Sequence, residues 1–180
     1  MAVTIAGTQL KKMTYGGQTV KKWVHDGVQV FSAGLTIYDN GSQPDSAKTG
    51  GIATRTGGDA KVSIGSSAIT GGYTDIYVNG TQCRVTTKNP IDVTDFTKLC
   101  IDVEITSTYN NYECLLRCVN WNPVTTADLP AGNGWGAFDG EIVGVKRQTV
   151  SIDISALTGN YYPMFLSFYT NFSIYKFWLE

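Results

Sequence analysis

Residues 98–105 read KLCIDVEI, the most regular pattern in the chain. Apolar residues occupy every second position from Leu99 to Ile105, whereas Asp102 and Glu104 lie between them. Strict alternation is typical of a β-strand with one face on the core and the other face in water. The stretch therefore predicts a sheet whose apolar face is covered by a second layer.

Strand-like runs continue on both sides of this stretch, separated by turns rich in Gly, Asn and Asp. Asp75–Val78 is predicted as a strand that turns at Asn79-Gly80, and Tyr112–Trp121 is predicted as a long strand with both faces covered. Residues 122–140 form the longest predicted loop. Because no amphipathic helix interrupts the series, the sequence predicts an all-β antiparallel jelly-roll sandwich over residues 34–180.

The first 33 residues differ from the rest of the chain, because one short sequence pattern occurs in them twice. Leu10–Gly17 and Val20–Gly27 each contain an apolar residue, two lysines, a large apolar residue and a glycine turn. Asp26-Gly27 is a strong hairpin signal. Residues 1–33 are therefore predicted to be a small β-hairpin segment. Since short hairpins cannot bury enough apolar surface alone, this segment is expected to serve docking or oligomerisation.

Composition excludes several classes of function. Of the 180 residues, 16% are charged and the net charge is −1, so the chain lacks the basic surface that nucleic-acid binding requires. No apolar run is long enough for a membrane span. The N-terminus lacks the basic and apolar regions of a signal peptide.

The four cysteines do not have zinc-site spacing. Cys114 and Cys118 are four residues apart in a predicted strand, which places them about 13 Å apart and too far for one disulfide. Cys83 and Cys100 are isolated in the sequence. We expect reduced and mostly buried thiols, as in proteins made in a reducing cytoplasm.

Two parts of the chain resemble known proteins. Lys21–Phe31 resembles the opening of small structural proteins from tail and baseplate operons of phages and prophages of Gram-positive gut bacteria. The remainder resembles a jelly-roll of the carbohydrate-binding-module type. Three segments carry this second resemblance: Asp92–Val103, Ser151–Tyr162 and the terminal run Ile174–Glu180.

The resemblance implies a non-enzymatic structural or adhesion protein of a phage-like tail, assembled as a homotrimer. Its partners would be other tail proteins and surface carbohydrate of the host. It would be made in the bacterial cytoplasm and act outside the cell. Two alternatives are a stand-alone bacterial carbohydrate-binding module and a glycan-degrading tail enzyme.

Aromatic residues in loops are the candidate sugar-binding groups, because the apolar faces of sugars stack on exposed rings while amides and carboxylates bind their hydroxyls. One candidate region is the 121–140 loop and a second is the rim at residues 109–112. The candidate residues are Trp121, Asn133, Trp135, Phe138 and Asp139 in the first, and Tyr109 in the second.

Catalytic chemistry has little support in the sequence. The single histidine, His25, is predicted to lie in a hairpin turn, and one histidine permits neither a catalytic triad nor a histidine metal site. Glycoside hydrolysis would need two facing carboxylates. The available pairs, Asp139 with Glu141, Asp102 with Glu104, and Asp92 with Asp95, are better explained as turn or surface residues.

Two further groups of residues have a weaker link to function. Asp39, Asn40 and Asp45 could supply oxygen ligands to a structural calcium ion, although an Asx-rich turn explains them better. No other cofactor is expected. The Lys11-Lys12 and Lys21-Lys22 pairs could bind acidic glycans, but we interpret them as charges that keep strand edges from pairing with other chains.

Overall fold

The computed structural model describes residues 4–5, 8–9, 13–15, 18–20, 22–25, 28–32, 34–110, 114–126 and 138–180, with side chains for 34–110, 114–126 and 140–180. Two antiparallel six-stranded sheets pack face to face over residues 35–179. The predicted all-β sandwich is therefore confirmed.

The first sheet has the strand order β16-β13-β18-β10-β9, with β7 paired to the distal half of β18. Its strands are β7 Leu35–Asp39, β9 Lys61–Ile64, β10 Ile69–Gly72, β13 Lys98–Thr108, β16 Arg147–Asp153 and β18 Thr170–Leu179. Strand β13 contains the alternating stretch that predicts the fold, and Leu99, Ile101, Val103 and Ile105 are buried as expected.

The second sheet has the order β15-β14-β17-β11-β8, with the short β12 also paired to β17. Its strands are β8 Ile52–Gly57, β11 Gln82–Thr87, β12 Ile91–Asp92, β14 Cys114–Val119, β15 Phe138–Ile142 and β17 Asn160–Phe168. All six residues of β14 are buried, which confirms that both faces of this strand are covered.

The core lies between the sheets and draws side chains from nearly every strand. Phe165 of β17 and Phe172 of β18 meet at its centre with ring centroids 4.7 Å apart. A smaller apolar cluster lies on the outer face of the second sheet, the face that is turned away from the first sheet. Its buried members are Leu115, Val119, Met164 and Leu166. An apolar outer face needs a cover, and the segment after β14 supplies one.

Consecutive strands cross between the sheets at one end of the sandwich. The crossings at this end join β8 to β9, β10 to β11, β13 to β14, β15 to β16, and β17 to β18. The last crossing is the tightest, since Tyr169 alone separates β17 from β18. These loops therefore lie side by side along the end.

The described residues of the N-terminal segment form three antiparallel strand pairs. They are formed by β1 Thr4–Ile5 with β2 Thr8–Gln9, β3 Met13–Tyr15 with β4 Gln18–Val20, and β5 Lys22–His25 with β6 Val28–Ser32. His25 is the last residue of β5 and pairs with Val28, so it ends a strand instead of lying in the turn. Lys11-Lys12 and Lys21 lie outside the described residues. The docking role of this segment stays a prediction.

The predicted strand Asp75–Val78 is wrong, because residues 73–81 form a series of turns. Backbone amides in this stretch donate to carboxylates instead of a strand ladder: Thr74 and Asp75 donate to Asp59, and Tyr77 donates to Asp75. The one helix among the described residues is α1 Ser46–Thr49, and no described helix could cross a membrane.

Candidate functional site

Four of the predicted sugar-binding residues lie where the structure describes little. Asn133 and Trp135 fall outside the described residues. Phe138 and Asp139 open β15, where they pair with Cys118 and Arg117 of β14, but their side chains are not described. The prediction that the 121–140 loop binds sugar therefore stays a prediction.

Trp121 packs on the protein's own surface. Its half-buried ring lies against the apolar cluster on the outer face of the second sheet, and the Arg84 guanidinium carbon is 5.8 Å from the ring centroid. Packing of this kind gives Trp121 a structural role as part of the cover over that cluster.

Arginines of the second sheet clamp the segment that follows β14. Arg84 is fully buried, and its Nη1 donates to the carbonyl oxygens of Pro123 at 3.0 Å and Thr126 at 2.8 Å. Arg55, its neighbour across the strands, donates to the Val124 carbonyl at 2.6 Å. Residues 120–126 are thus held over the sheet, because buried guanidinium groups need acceptors and the carbonyls provide them.

The second predicted rim leads to a cluster of tyrosines. Tyr109 lies at the crossing from β13 to β14, Tyr169 at the crossing from β17 to β18, and Tyr73 just after β10. All three residues are half-buried. The ring centroids of Tyr73 and Tyr169 are 6.1 Å apart, and those of Tyr109 and Tyr169 are 6.5 Å apart. We call these three residues the tyrosine row.

Hydrogen bonds fix the tyrosine row to the strands beneath it. The backbone N–H of Tyr109 donates to the Tyr169 carbonyl at 3.0 Å, and the Tyr169 hydroxyl donates to the Val78 carbonyl at 3.0 Å. The Tyr73 N–H donates to Asn171 Oδ1 at 3.1 Å. Asn171 in turn donates through Nδ2 to Ser107 Oγ at 2.7 Å. The rings are therefore attached to one another through backbone and amide groups.

Tyr169 has an unusual backbone conformation, with φ of 41°. A bulky residue in the left-handed region is a real outlier, which surrounding structure must hold in place. The one-residue crossing between β17 and β18 requires such a sharp turn. The conformation places Tyr169 between the loops that carry Tyr73 and Tyr109.

Asp59 holds the loop next to the row. Its carboxylate accepts hydrogen bonds from the Thr74 N–H at 2.7 Å, the Thr74 hydroxyl at 2.8 Å, the Asp75 N–H and the Thr81 hydroxyl at 3.0 Å. Partial desolvation alone would raise the pKa of Asp59, but these hydrogen bonds outweigh it and lower the pKa to about 2. Tyr77, in the same loop, is 85% exposed.

The carboxylate pair Asp102 and Glu104 lies on the outer face of the first sheet, and both side chains have partners there. Arg147 donates to Asp102 through Nε at 3.2 Å and Nη2 at 2.7 Å. Glu104 accepts the Tyr175 hydroxyl at 2.8 Å, which raises the pKa of Tyr175. The Arg147 guanidinium lies 3.8 Å from the Tyr175 ring centroid and covers it. This arrangement supports the interpretation of the pair as a solvated surface network.

Of the other acidic candidates, Asp92 has described hydrogen-bond partners, and Glu141 and Asp95 are exposed. Asp92 accepts hydrogen bonds from the Thr94 N–H and hydroxyl, as expected for a turn residue. Glu141 is exposed on β15. Asp95 is exposed in the turn that leads into β13.

The calcium candidates form parts of a turn. Asp45 accepts the Thr36 N–H at 2.7 Å, and Asp39 accepts from the Asn40 side-chain amide at 2.7 Å and lies 3.8 Å from Lys176 Nζ. The described residues contain no group of three or more His, Cys, Asp or Glu that could hold a metal ion. The structure adds no support to a calcium site here.

All four cysteines are buried free thiols. Burial raises the pKa of the Cys83 thiol to about 11 and that of Cys118 to about 12. Because the thiolate is the reactive form, these residues act as packing groups.

Sequence reasoning found Tyr109 but missed Tyr73 and Tyr169. Tyr169 lies between two apolar runs, and its only local signal is the short polar interruption Tyr169-Thr170-Asn171. Tyr73 follows Gly71-Gly72, where the absence of side chains permits close approach: a Cβ on Gly72 would lie 1.8 Å from Asn171 Oδ1. A glycine pair before an aromatic residue is a weak signal of such a close contact.

Comparisons with known proteins place the fold and assign no family. No protein-family model and no curated protein matches the chain. Among solved structures, a cleaved adhesin domain of Lys-gingipain from Porphyromonas gingivalis is similar with a TM-score of 0.50 and 13% identity, over 82% of this chain and 97% of that one.

Carbohydrate-binding modules also appear among the similar structures. A family 29 module from Piromyces equi has a TM-score of 0.47 and 6% identity, over 81% of this chain and 88% of that one. A family 11 module from Clostridium thermocellum, in complex with a mixed-linked tetrasaccharide, has a TM-score of 0.46 and 13% identity, over 81% and 94%. With TM-scores below 0.5 these two similarities carry no argument of their own, and the adhesin domain, at 13% identity, is similar in fold alone.

Proposed function

We propose that this protein binds carbohydrate without catalysing its hydrolysis, and that the tyrosine row is the binding surface. The observation that carries the proposal is the row itself: three half-buried tyrosines, with ring centroids 6.1 Å and 6.5 Å apart, at one end of the sandwich. Aromatic faces of this kind bury the apolar faces of sugars.

The surroundings of the row offer polar groups for sugar hydroxyls. The exposed residues Asp75, Asn79 and Asn110 lie in the loops on either side of it. Amide and carboxylate groups can donate or accept hydrogen bonds to hydroxyls. A surface that combines ring faces with such groups suits sugar recognition better than it suits a nucleic acid, which would need excess positive charge.

A binding role without catalysis fits the described carboxylates. A glycosidase requires two carboxylates that face one glycosidic bond. At this end of the sandwich, Asp59 already accepts four hydrogen bonds from its own chain and Asp75 accepts the Tyr77 N–H. Carboxylates that accept hydrogen bonds from their own backbone in this way stabilise the loop conformation.

The test is affinity electrophoresis through gels that contain soluble xylan, mannan or mixed-linked β-glucan. We expect at least one polysaccharide to retard the wild-type protein and Tyr109→Ala to lose most of that retardation. The control variant Tyr175→Ala removes a half-buried tyrosine from the outer face of the first sheet and should run like wild type. No retardation across this panel, or equal retardation of Tyr109→Ala, would contradict the proposal.

The 121–140 loop belongs in the same experiment as an alternative binding surface. Trp121 of this loop is part of the cover over the second sheet, while Trp135 is known only from the sequence. Loss of retardation in Trp135→Ala with full retardation of Tyr109→Ala would move the site to this loop.

A role in a phage-like tail is our second proposal, and it rests on the N-terminal hairpins. Described residues pair as three successive two-stranded sheets, an arrangement that is marginal in isolation and gains stability from neighbouring chains. We propose that this segment assembles the protein as a homotrimer and attaches it to other tail proteins. Light scattering should give a trimer for the full chain and a monomer for a chain that begins at Gly34; a monomeric full chain would refute the trimer.

A further inference from the structure

We infer that β16 is an interaction edge, along which a second copy of this chain adds its own β16 as an antiparallel strand. The first sheets of the two copies then become continuous. This contact requires neither glycan binding nor the N-terminal segment. Three features of β16 lead to it: the direction of its backbone groups, its lack of the protection found at other edges, and a sequence that is complementary to itself.

Strand β16 lies at one edge of the first sheet and pairs, among the described residues, with β13 alone. The Ile105 N–H donates to the Lys146 carbonyl at 3.0 Å, which identifies one hydrogen-bonded pair of this ladder. Since such pairs alternate along antiparallel strands, Gln148, Val150 and Ile152 bond to β13, and the residues between them direct their N–H and C=O groups away from it. These outward residues are all exposed: Arg147, Thr149, Ser151 and Asp153.

Three other edge strands carry devices that discourage pairing with another chain. On β7, Asp45 accepts the Thr36 N–H at 2.7 Å and donates its own N–H to the Thr36 carbonyl at 3.3 Å. On β8, the Ile52 N–H donates to Gln43 Oε1 at 2.8 Å. Strand β9 has four residues and an exposed Lys61. Strand β16 has seven residues in unbroken register with β13, without lysine or proline, so of these four edges it is the one open to a further strand.

The sequence of β16 is complementary to itself when two copies run antiparallel. A two-fold axis beside Val150 places Arg147 opposite Asp153 of the second copy. The same axis places Thr149 opposite Ser151, and the symmetry repeats both pairs. All of these are outward residues, so the members of each pair can exchange two backbone hydrogen bonds. A shift of the strands by two residues would lose both charge pairs, and the charges therefore set the register.

The charged side chains can make this contact without leaving their present partners. Arg147 binds Asp102 through Nε and Nη2, and its Nη1 is not used in those bonds. Asp153 accepts the Ser155 N–H through Oδ1 at 2.9 Å, and its Oδ2 can accept from the arginine of the second copy. Each charge pair thus adds a charge-assisted hydrogen bond across the junction.

The pairing also covers apolar surface at the edge. Val150 is half-buried against the core, and the two copies of this residue would meet at the axis. Val145, two residues before β16, is 59% exposed and would gain neighbours in the turn that follows β16 of the second copy. A contact made of one strand pair is small, so we expect a dissociation constant of about 0.1–1 mM.

The antiparallel arrangement sets how two copies face. Because β16 begins at the end that carries the tyrosine row, the rows of paired copies lie at opposite ends. The contact therefore joins two sandwiches and creates no shared sugar surface. At about 10 μM it would be largely dissociated, so it leaves the mass that the N-terminal segment produces unchanged.

Sedimentation equilibrium of the full chain from about 10 μM to about 1 mM tests the association. We expect the weight-average mass to rise to about twice its low-concentration value or more, whatever that value is. Thr149→Pro removes an outward N–H and keeps every bond to β13, so it should raise the dissociation constant about tenfold or more. Thr149→Ala keeps that N–H and should associate like wild type. Melting temperatures show whether both variants are folded.

Cysteine cross-linking tests the register. The Cα atoms of two Val150→Cys residues would lie about 4.5 Å apart at the axis, within reach of a disulfide, so this variant should form a covalent dimer when diamide is added as oxidant. Gln148→Cys is the matched control on the same face, because its copy would lie about 13 Å away. The four native thiols are buried and should not contribute.

Amide hydrogen exchange followed by NMR gives a readout for each residue. At about 1 mM, the Thr149 and Ser151 amides should exchange about two- to fivefold more slowly than at about 10 μM. The Gln148 and Val150 amides bond to β13 at both concentrations and should not change. This alternation distinguishes strand pairing from association elsewhere on the protein.

Three results would each overturn pairing at this edge. They are a constant mass up to about 1 mM, equal association of Thr149→Pro and wild type, and cross-linking of Gln148→Cys in preference to Val150→Cys. A constant mass would leave a strand of another protein as the remaining occupant of β16. None of these results bears on glycan binding, which the polysaccharide gels test separately.

Discussion

Replacing Arg84 with methionine tests how the cover over the second sheet is held. Arg84 is fully buried, and its guanidinium donates to the carbonyl oxygens of Pro123 and Thr126. Methionine keeps most of the apolar stem and its contact with the neighbouring cluster, but it cannot donate a hydrogen bond. The Arg84→Met variant therefore removes the hydrogen bonds of the guanidinium, which include a longer one from Nε to Gln82 Oε1 at 3.4 Å, and its contact with the Trp121 ring, while it keeps most of the packing.

The expected loss of stability is worked from the two shorter bonds, to the carbonyl oxygens of Pro123 and Thr126. A hydrogen bond from a charged donor contributes about 1.5–3 kcal/mol, so the gross loss is about 3–6 kcal/mol. Part of this is returned, because the variant no longer buries a guanidinium charge. Two carbonyls that have lost a donor remain, one of them on the buried Pro123. We expect a net loss of about 2–4 kcal/mol in the free energy of unfolding.

Urea denaturation measures this loss, and Arg55→Met is the matched control. Arg55 is half-buried and makes one described hydrogen bond, to Val124, so its replacement should cost less than that of Arg84, about 1–1.5 kcal/mol. Hydrogen exchange adds a local readout: the Val124 and Thr126 amides, which donate to Asn122, should exchange faster in Arg84→Met. A change below about 0.5 kcal/mol for Arg84→Met, or an equal cost in the control, would refute the clamp.

Two further changes test the loops of the tyrosine end. The pKa of Asp59 is lowered from 3.8 to about 2, so its ionised form stabilises the fold above about pH 4, and this contribution is lost as the pH falls towards 2. When the melting temperature is measured at decreasing pH, it should fall less in Asp59→Asn than in wild type. An equal fall in both proteins would contradict this role. In Gly72→Ala the new methyl group would clash with Asn171, whose Oδ1 accepts the Tyr73 N–H. The variant should bind glycan more weakly and lose about 1–3 kcal/mol in the free energy of unfolding. Unchanged affinity would show that Asn171 does not position Tyr73.

Local patterns predicted the sandwich well. The alternation in KLCIDVEI needs only neighbouring residues, and β13 has the predicted buried and solvated faces, apart from the buried Cys100 on the outer face. Strand β14 lacks clean alternation, which correctly predicted that both its faces are covered. The Asp26-Gly27 signal correctly predicted the hairpin of β5 and β6.

The sequence failed where a distant side chain replaces a strand partner. Asp75–Val78 has the composition of a strand, yet Asp59 captures the amides of Thr74 and Asp75 and bends the chain into turns. This capture depends on the crossing from β8 to β9, which brings Asp59 to the same end of the sandwich. No window around residues 75–78 contains that information.

The tyrosine row could not be predicted from the sequence for the same reason. Tyr73, Tyr109 and Tyr169 are separated by 36 and 60 residues in the chain, and they meet because strands of the two sheets stack and cross at one end. Tyr109 could be identified as a candidate because two asparagines follow it in the sequence. The other two could be recognised only after the strand order was known.

Amide chemical-shift mapping tests whether the tyrosine end of the sandwich binds glycan. The ¹⁵N-labelled protein would be titrated with soluble oligosaccharides of the polysaccharide that retards it most in the gels. We expect the shifts to cluster at residues 72–81, 106–110 and 168–171, around the tyrosine row. Shifts confined to the outer face of the first sheet, around Tyr175 and Trp178, would contradict it.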